Sequence, residues 1–466
     1  MADNKKVVKS AVWFTMSNFL MRAVGIITTP IFTRLLTKAE YGDYNNFQVW
    51  VMIMLYITSL NLESSMIVAS QEYKEDFRRY TGSMIALSLL SSLSWMAVCN
   101  LFFPFFSKLF SLNRFYLNCM FLYLIFMPAV NLFQNAERYE YKYKLSAAVS
   151  VIVSVGTAVL SVVLIGLCEK KLDGMVLGYV IPPAVVGGLI MIWYFFSAKK
   201  PLLKYWKYAL VIALPYIPHL LSMYLLNNMD KVMIRQICGS EDVALYSLAY
   251  NCGMIITILN TSLNSAFGPW LAERLHDRDY RATRKISVPY VAAFSALSIG
   301  AVLLTPELLY ILGGKSYMSA VYVMPPVAAG CLLQFAYGLY VNVEQYNKKT
   351  VWMAFASGGA ALLNFVLNFI FIRKFGYVAA AYTTYAGYLF LLIVHVLVVR
   401  KIGMQDVYDN RKILAIALGA SALMFAENMI LERTVIRYIL IGIYFAAILI
   451  VLIKNKARLK RIWKNR

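Results

Sequence analysis

The sequence predicts an all-α polytopic membrane protein with about 14 transmembrane helices. Of its 466 residues, 61% are hydrophobic and only 15% are charged, with a mean hydropathy of +0.63. Soluble domains carry roughly 25% charged residues, so most of this surface requires lipid as its solvent. The apolar runs reach about 20 residues, enough for a helix to cross a bilayer. These runs lack the alternating polarity of barrel strands, which leaves helices as the fold.

The predicted spans follow one another along the chain, and no loop between them exceeds about seventeen residues. The first span is an uncleaved helix rather than a signal peptide, because Arg22 interrupts it and no small-residue cleavage site follows. The seventh contains prolines that predict a kink, and the thirteenth is the shortest. In order, the spans are 11–32, 44–68, 80–104, 114–136, 145–167, 174–196, 208–229, 241–268, 286–312, 317–343, 351–372, 377–399, 413–427 and 435–453.

The basic residues predict the orientation of the helices. A formal charge of +22 suits nucleic acid, but the Lys and Arg residues lie in short loops between apolar runs, which excludes that partner. With the N-terminus inside, inside segments hold 31 of the 45 Lys and Arg residues and outside loops hold 13. Inside loops are enriched in these residues, so both termini are predicted to be cytoplasmic. The basic tail Lys454–Arg466 suits anionic membrane lipids.

No motif for catalysis, a metal or a nucleotide stands out. The six cysteines form no CxxC pair and show no metal-ligand spacing. Residues 313–316 read Gly-Gly-Lys-Ser, but Leu309 stands where a phosphate-binding loop needs glycine. We therefore expect neither an enzyme nor a bound cofactor.

An internal repeat predicts two related halves. Arg34, Glu40 and Tyr44 recur as Arg235, Glu241 and Tyr246 at an offset of 201, with one residue of slippage. Six helices intervene, so both halves would cross the membrane in the same direction. The expected arrangement is two pseudo-symmetric six-helix lobes, residues 1–200 and 201–400, with a central cavity. Residues 401–466 would add a terminal helix pair and a basic cytoplasmic tail.

Five stretches of the sequence carry a characteristic pattern: Pro30–Tyr44, Leu214–His219, Asn228–Ile234, Glu241–Tyr250 and Asn264–Trp270. They resemble one family of membrane transporters, the polysaccharide-transporter branch of the multidrug/oligosaccharidyl-lipid/polysaccharide exporter superfamily. The similarity in spacing and hydropathy extends over almost the whole chain. One departure is Val243-Ala244, where the family often has Val-Gly.

The resemblance implies a flippase for O-antigen or capsule repeat units in a bacterial cytoplasmic membrane. Its cargo would be a polyprenyl-pyrophosphate-linked oligosaccharide, moved by alternating access, with a proton or sodium ion as candidates for coupling. Its partners would be this lipid-linked cargo, membrane lipids and other polysaccharide-assembly membrane proteins. Such cargo requires a polar cavity, a cation for the pyrophosphate and an opening for the lipid tail.

Arg22 is the first candidate cation, because a charge near the middle of a span costs about 2.5–3.5 kcal/mol. At helical spacing it shares a face with Asn18, Gly25 and Thr29. It either contacts the pyrophosphate or pairs with an acid such as Glu63. Glu63 itself could instead titrate or bind a cation.

The seventh span carries Pro215, Pro218, His219 and Asp230 on or near one face. One interpretation is a bending gate helix with a titratable histidine. The other is a histidine that packs into a kink and bonds a backbone carbonyl. Asp230 could serve the gate, although an interfacial ion pair with Lys231 explains it more simply.

Four asparagines on later helices suit sugar hydroxyls: Asn260, Asn264, Asn364 and Asn368. Amides also bond neighbouring membrane helices, usually for less than about 2 kcal/mol, so helix packing is the simpler reading. Four further titratable residues lie near predicted span ends, where solvation would explain them: Glu307, Glu344, His395 and Glu427.

Two alternative functions are open at this stage. A cation-coupled small-molecule or drug exporter of the same superfamily shares the fold, but basic rather than acidic cavity residues disfavour cationic drugs. A membrane-embedded polymerase or glycosyltransferase would need a sizeable external loop. The longest outside loops here have about a dozen residues.

Overall fold

The computed structural model describes residues 24–25, 27–140, 142–197, 202–347, 349 and 351–454. All regular secondary structure in these ranges is helical. Short 3₁₀ segments connect some helices: Leu62–Ser65, Lys74–Asp76, Leu214–Tyr216 and Lys315–Val323. The helices are α1 (27–35), α2 (Lys38–Thr58), α3 (Met66–Glu72), α4 (Phe77–Leu101), α5 (Phe103–Phe110), α6 (Arg114–Tyr139), α7 (Tyr143–Leu167), α8 (Lys171–Ser197), α9 (Leu203–Ala213), α10 (Ile217–Ile237), α11 (Ser240–His276), α12 (Tyr280–Leu303), α13 (Thr305–Gly313), α14 (Met324–Tyr346), α15 (Val351–Phe375), α16 (Val378–Lys401), α17 (Asn410–Glu427) and α18 (Thr434–Lys454).

The helical membrane fold predicted from hydropathy is confirmed, but the count of 14 spans is not. Within the described ranges, nine helices are long and apolar enough to cross a membrane, or eleven if each of two bent pairs is one span. Their outer faces carry exposed apolar side chains such as Leu101, Leu167 and Phe196, as expected where lipid is the solvent. Most of the predicted first span and the basic tail lie outside the described residues.

The predicted span 44–68 is not one continuous helix. α2 ends at Thr58, and Leu60 and Asn61 adopt positive φ angles of 53° and 48° before the chain turns into a 3₁₀ segment and α3. The two helical pieces meet at a bend of 46°. Hydropathy missed this break because an average over a whole span lets the apolar flanks at 49–57 and 66–68 outweigh the short polar stretch 58–65 between them. Hydropathy also does not report backbone angles.

Serine hydroxyls satisfy the backbone groups that this break releases. The amide of Asn61 donates to Ser59 Oγ at 3.3 Å. The hydroxyl of Ser64 donates to the Asn61 carbonyl at 2.9 Å, and that of Ser65 to the Leu62 carbonyl at 2.7 Å. A non-helical segment within a bilayer requires such internal partners.

Prolines mark the second bent pair, in the predicted seventh span. α9 passes through the 3₁₀ segment that contains Pro215 and continues as α10, whose first turn contains Pro218. The two pieces meet at 48°. Proline lacks the N–H that would continue the helical ladder, so the bend lies where the sequence predicted a kink.

The chain folds into two compact units. The first holds the described residues up to Ser247 together with Asn368–Tyr377, and the second holds Leu248–Leu367 and the described residues from Val378 onward. In the first, α6 packs on α4 and α8, and α7 packs on α8, around a core that includes Tyr80 and Tyr205. In the second, the largely buried α14 packs against α12, α16 and α17. The predicted boundaries at residues 200 and 400 remain a prediction.

Gly42 lets α2 approach the start of α11 very closely. A Cβ atom at Gly42 would lie 1.7 Å from the Ser240 carbonyl oxygen and 2.6 Å from its carbonyl carbon. Both neighbours are backbone atoms, so no side-chain rotation relieves the overlap. Only glycine permits this contact.

Gly42→Ala is expected to destabilise the first unit by about 1–3 kcal/mol, because the extra methyl group forces the two backbones apart. The measurement is the thermal unfolding midpoint of the purified full-length protein in detergent. Gly166→Ala, at an exposed helical position with no heavy atom within 4 Å of the added carbon, is the matched control. Equal midpoints for the two variants would show that the close approach does not constrain this glycine.

Candidate functional site

The two repeat segments meet around one carboxylate, that of Asp43. Arg235 Nε donates to Asp43 Oδ1 at 2.7 Å, and the Ser240 hydroxyl donates to the same oxygen at 2.6 Å. The repeat pattern singled out Arg235 but not Asp43. Charge-assisted bonds of this kind are stronger than neutral ones, so Asp43 ties the start of α2 to the junction between α10 and α11.

Local capping explains why α2 begins where it does. The backbone amide of Glu40 donates to Thr37 Oγ1 at 3.2 Å, and the amide of Thr37 donates to Glu40 Oε2 at 2.8 Å. This reciprocal capping box fixes the start of α2 and, with it, the position of the next helical turn, which contains Gly42 and Asp43.

A polar cluster lies beside the break after α2. The carboxylate of Glu63 accepts a bond from Asn135 Nδ2 at 3.2 Å, and Asn131, one turn earlier on α6, also lies within hydrogen-bonding range. Tyr56 lies close enough to Glu63 to interact electrostatically, and its ring is 5.8 Å from that of Tyr224 on α10. We call these five residues the Glu63 cluster.

All five members of the Glu63 cluster are partly accessible, although they belong to apolar helices. They offer a carboxylate, two amides and two phenols. Carboxylates and amides accept and donate bonds to hydroxyl groups, and tyrosine rings provide apolar faces. The arrangement therefore suits a ligand that is rich in hydroxyl groups, such as a sugar.

A row of tyrosines continues from the Glu63 cluster into the core. Tyr224 lies near Tyr179 on α8, whose ring stacks on that of Tyr123 with centroids 5.0 Å apart and planes at 6°. Tyr44 meets Tyr179 edge-on at 5.9 Å, and its hydroxyl accepts a bond from Gln48 at 2.9 Å. This stacking holds the aromatic side chains in fixed orientations beside the cluster.

An apolar groove of about 430 Å³ lies on the outer side of α4, α8 and α9. Its lining is almost entirely hydrocarbon, which would accommodate an acyl or prenyl chain. The lining residues are Ala86, Leu89, Leu90, Leu93, Phe195, Leu203 and Trp206.

Several predicted site residues cannot be assigned partners. Arg22 and Asn18 lie outside the described residues, and His219 belongs to α10 without a described side chain. Thr29 is described, and its hydroxyl donates to the Gly25 carbonyl, four residues earlier, at 2.8 Å. The cargo roles of Arg22, Asn18, Thr29 and His219 therefore remain predictions.

The predicted asparagines pair mainly with other protein groups. Asn264 Nδ2 donates to Asn260 Oδ1 at 2.5 Å, and Asn364 Nδ2 donates to Thr384 Oγ1 on α16 at 3.1 Å. Asn368 is fully buried. The Asn364 bond joins α15 to α16 and fits the helix-packing interpretation, whereas the bond between Asn260 and Asn264 lies within α11. A cargo role for the four side chains remains a prediction.

Asp230 is buried within the protein and lies close enough to Lys231 to interact electrostatically. Its side chain is fully buried and accepts a bond from the Tyr246 hydroxyl on α11, while Lys231 is only 9% exposed. An ion pair of Asp230 with Lys231 at the membrane interface remains a prediction. The structure gives no test of the proposed gating role.

Solvation at span ends was the wrong explanation for three of the four titratable residues, whereas the fourth, Glu307, keeps 31% of its side chain exposed. Glu344 on α14 and His395 on α16 are buried and in direct contact, and Glu427 is buried in α17. Glu307 forms a two-bond ion pair with Arg437 of α18, at 2.5 and 2.6 Å. One signal could have shown His395 to be internal: apolar residues flank it on both sides, from 389 to 399. Within the ranges described, no group of three or more His, Cys, Asp or Glu residues could hold a metal ion.

Comparisons with known proteins identify related sequences. A family model described as polysaccharide biosynthesis protein matches residues 7–275, and a second, described as MatE, matches residues 215–370. The chain is also similar to Lsg locus putative protein 1 of Haemophilus influenzae. The two are 21% identical over 296 residues, which cover 59% of this chain and 68% of that protein.

Comparisons with solved structures identify the same fold. The lipid II flippase MurJ, in an inward closed conformation, has a TM-score of 0.72 at 14% identity, with 96% of this chain and 100% of that one covered. An inward-facing multidrug resistance MATE family transporter of the MOP superfamily has a TM-score of 0.60 at 14% identity, with 88% and 95% covered. At this identity the likeness concerns the fold alone, and it confirms the predicted all-α fold.

Asp43→Ala is expected to lower the unfolding free energy by about 1–2 kcal/mol, because it removes the acceptor shared by Arg235 and Ser240. The midpoint of thermal unfolding in detergent reports the change. Exchanging the partners, Asp43→Arg with Arg235→Asp, should recover part of the loss. Glu169→Ala, which removes an exposed carboxylate of the same unit, is the control. If it lowers the midpoint as much as Asp43→Ala does, the Asp43 contacts add nothing specific.

Proposed function

Because the chain belongs to the polysaccharide biosynthesis protein family, we propose that it flips polyprenyl-pyrophosphate-linked oligosaccharide repeat units across a bacterial cytoplasmic membrane. The chain is a multi-pass membrane transporter of the polysaccharide-transporter branch, not an enzyme. The family match is the observation that carries the proposed substrate, because it covers more than half of the chain. The likeness in fold to a lipid II flippase supports the same proposal.

The chemistry of the described residues supports this substrate class. An oligosaccharide presents many hydroxyl groups, and the Glu63 cluster offers a carboxylate, amides and aromatic faces beside a break in a membrane helix. The lipid tail needs a hydrocarbon environment, and the groove along α4, α8 and α9 supplies one. In this proposal Arg22 neutralises the pyrophosphate, and the protein exposes its polar surface to the two sides of the membrane alternately.

Orientation and partners follow from the same proposal. The excess of Lys and Arg in alternate loops supports cytoplasmic termini, which places sugar-lipid loading on the cytoplasmic side. The proposal also includes the predicted division of the chain into a lobe of residues 1–200, a lobe of residues 201–400 and a terminal helix pair with its tail in residues 401–466. Other polysaccharide-assembly membrane proteins are the partners that would receive the translocated cargo.

Export of small molecules is the second candidate function. The match of the MatE model to residues 215–370 favours it, as does the shared fold of multidrug transporters. The carboxylate of Glu63 would also suit a cationic drug. The two functions differ in their substrates, so a transport assay separates them.

Glu63→Ala should lower the rate of flipping about five- to thirty-fold, the effect of losing 1–2 kcal/mol of hydrogen bonding to the glycan. The assay uses purified protein in proteoliposomes, a fluorescent polyprenyl-pyrophosphate oligosaccharide and a membrane-impermeant quencher. Glu75→Ala, which removes an exposed carboxylate of the same unit, is the matched control and should flip at the unaltered rate. A Glu63→Ala rate equal to that of Glu75→Ala would remove the Glu63 cluster from the mechanism.

Arg22→Ala should abolish flipping without loss of protein from the membrane, because the pyrophosphate then lacks its counter-charge. Unchanged flipping would exclude Arg22 from the mechanism. If the unaltered protein moves none of a range of lipid-linked glycans, under either a proton or a sodium gradient, the flippase proposal fails. Efflux of small cationic dyes from the same vesicles would then support the exporter.

A further inference from the structure

A cavity of about 620 Å³ lies in the second unit where α13 meets the start of α18, and none of the residues assigned to cargo lines it. Three segments enclose it: α13, the 3₁₀ segment Lys315–Val323, and the turn that leads into α18. In the sequence these segments lie at the predicted outer ends of the spans 286–312 and 435–453. We therefore expect the cavity at the level of the outer lipid headgroups.

A buried ion pair fixes one wall of the cavity. Arg437 is only 3% exposed, and its Nη1 and Nη2 atoms donate to the two carboxylate oxygens of Glu307 at 2.5 and 2.6 Å. Arg437 Nη1 also donates to the Leu303 carbonyl at 2.9 Å, and the Tyr438 hydroxyl donates to Glu307 Oε1 at 2.8 Å. These bonds neutralise Glu307 and hold α18 against α13, so the cavity has a defined shape.

Glu432 gives the cavity a net negative charge. Among the lining residues in the described ranges, Glu307, Arg437 and Glu432 are the charged ones, and Arg437 cancels Glu307. The Tyr322 hydroxyl donates to Glu432 Oε1 at 2.5 Å. Glu432 is exposed, so its second carboxylate oxygen can accept a bond from a ligand. A cation is therefore the ligand charge that complements this lining.

Two tyrosines, Tyr310 and Tyr438, line the cavity and are both more than half exposed. The guanidinium carbon of Arg437 lies 5.0 Å from the centroid of the Tyr438 ring, within the range at which an aromatic face attracts a cation. Tyrosines are also enriched where a membrane protein meets the lipid headgroups. An ammonium group would therefore find a carboxylate and aromatic faces in the same cavity.

An apolar stripe of α18 continues from the cavity. Thr434 and Tyr438 line the cavity, and Val435, Ile439 and Ile443 follow one another at intervals of one turn, each more than half exposed. Acyl chains bind to hydrocarbon surface of this kind, whereas a soluble sugar or a free amine gains little from it. A negatively charged cavity next to an apolar stripe thus favours a lipid with an ammonium headgroup over a glycan.

Exposed basic residues flank the acidic lining in the chain. Arg433 lies between Glu432 and Thr434, which both line the cavity, and Lys315 begins the 3₁₀ segment that forms another wall. The headgroup of an aminophospholipid carries a phosphate close to its ammonium, so it presents both charges to the protein. An acidic lining flanked by basic residues is complementary to both.

We propose that this cavity binds the headgroup of an aminophospholipid, with its primary ammonium at Glu432 and its acyl chains along α18. A primary ammonium donates up to three hydrogen bonds, and Glu432 and the Thr434 hydroxyl are acceptors for them. The quaternary ammonium of a choline headgroup donates none, so the site prefers ethanolamine to choline. The bound lipid joins α13 to α18 and stabilises the second unit, whichever cargo the protein moves.

Native mass spectrometry of the full-length protein in detergent, titrated with phosphatidylethanolamine, measures the binding. Glu432→Gln retains an acceptor for Tyr322 but loses the charge, and it should lower the binding constant about two- to fivefold, the effect of a partly exposed ion pair. Tyr310→Leu should also weaken binding, because it removes an aromatic face. Glu273→Gln, which alters an exposed carboxylate of the same unit outside the cavity, is the control and should bind as the unaltered protein does. Equal binding constants for all four proteins would overturn the proposed site.

The choice of ligand tests which headgroup is recognised. The unaltered protein should bind phosphatidylethanolamine more tightly than phosphatidylcholine or phosphatidylglycerol with the same acyl chains, and Glu432→Gln should reduce this preference. Equal or tighter binding of either other lipid would overturn the recognition of a primary ammonium. Displacement of the lipid by an equal concentration of free ethanolamine would show that the acyl chains contribute nothing. Displacement by a soluble oligosaccharide would assign the cavity to a sugar, and either displacement would overturn the proposal.

Discussion

Hydrocarbon cannot hydrogen-bond to a peptide group, and this constraint governs the whole molecule. Each span is helical because a helix pairs its own N–H and C=O groups. Where α2 ends, Ser59, Ser64 and Ser65 supply the partners that the helical ladder no longer provides. The break is thereby compatible with a membrane environment, and it brings the carboxylate of Glu63 beside the amides of α6. The short segment that satisfies its own backbone groups at the break therefore also positions Glu63 in the candidate binding surface.

Charge obeys a related rule. An ionic side chain inside the fold is tolerated when another group cancels it or bonds to it. Arg437 meets Glu307 through two bonds, Asp230 accepts from Tyr246, and Glu344 contacts His395. The first pair balances two permanent charges and is suited to anchoring α18.

Close backbone packing complements these polar contacts. Lipid tails are as apolar as leucine, so burial of hydrocarbon alone does not drive membrane helices together. At Gly42 the absence of a side chain lets α2 reach the Ser240 carbonyl, and the adjacent Asp43 bonds Arg235 and Ser240. Steric fit and charge therefore act on the same turn. The repeat motif marks this turn in the sequence because it contains Glu40, whose capping bonds start the helix.

The sequence by itself determined the solvent, the helical class and the family of this protein, because apolar length, basic loops and short motifs are local properties of the chain. The bend of the seventh predicted span could also be predicted from the sequence, because proline lacks the backbone N–H that would continue the helix. The tertiary structure alone decided the break after Thr58, the partners of Asp43 and the contact between Glu344 and His395. Two residues 51 positions apart meet only through the rotation and register of packed helices, and hydropathy encodes neither. Glu344 and His395 therefore read as solvated span ends in the sequence and became an internal acid–base pair only in the fold.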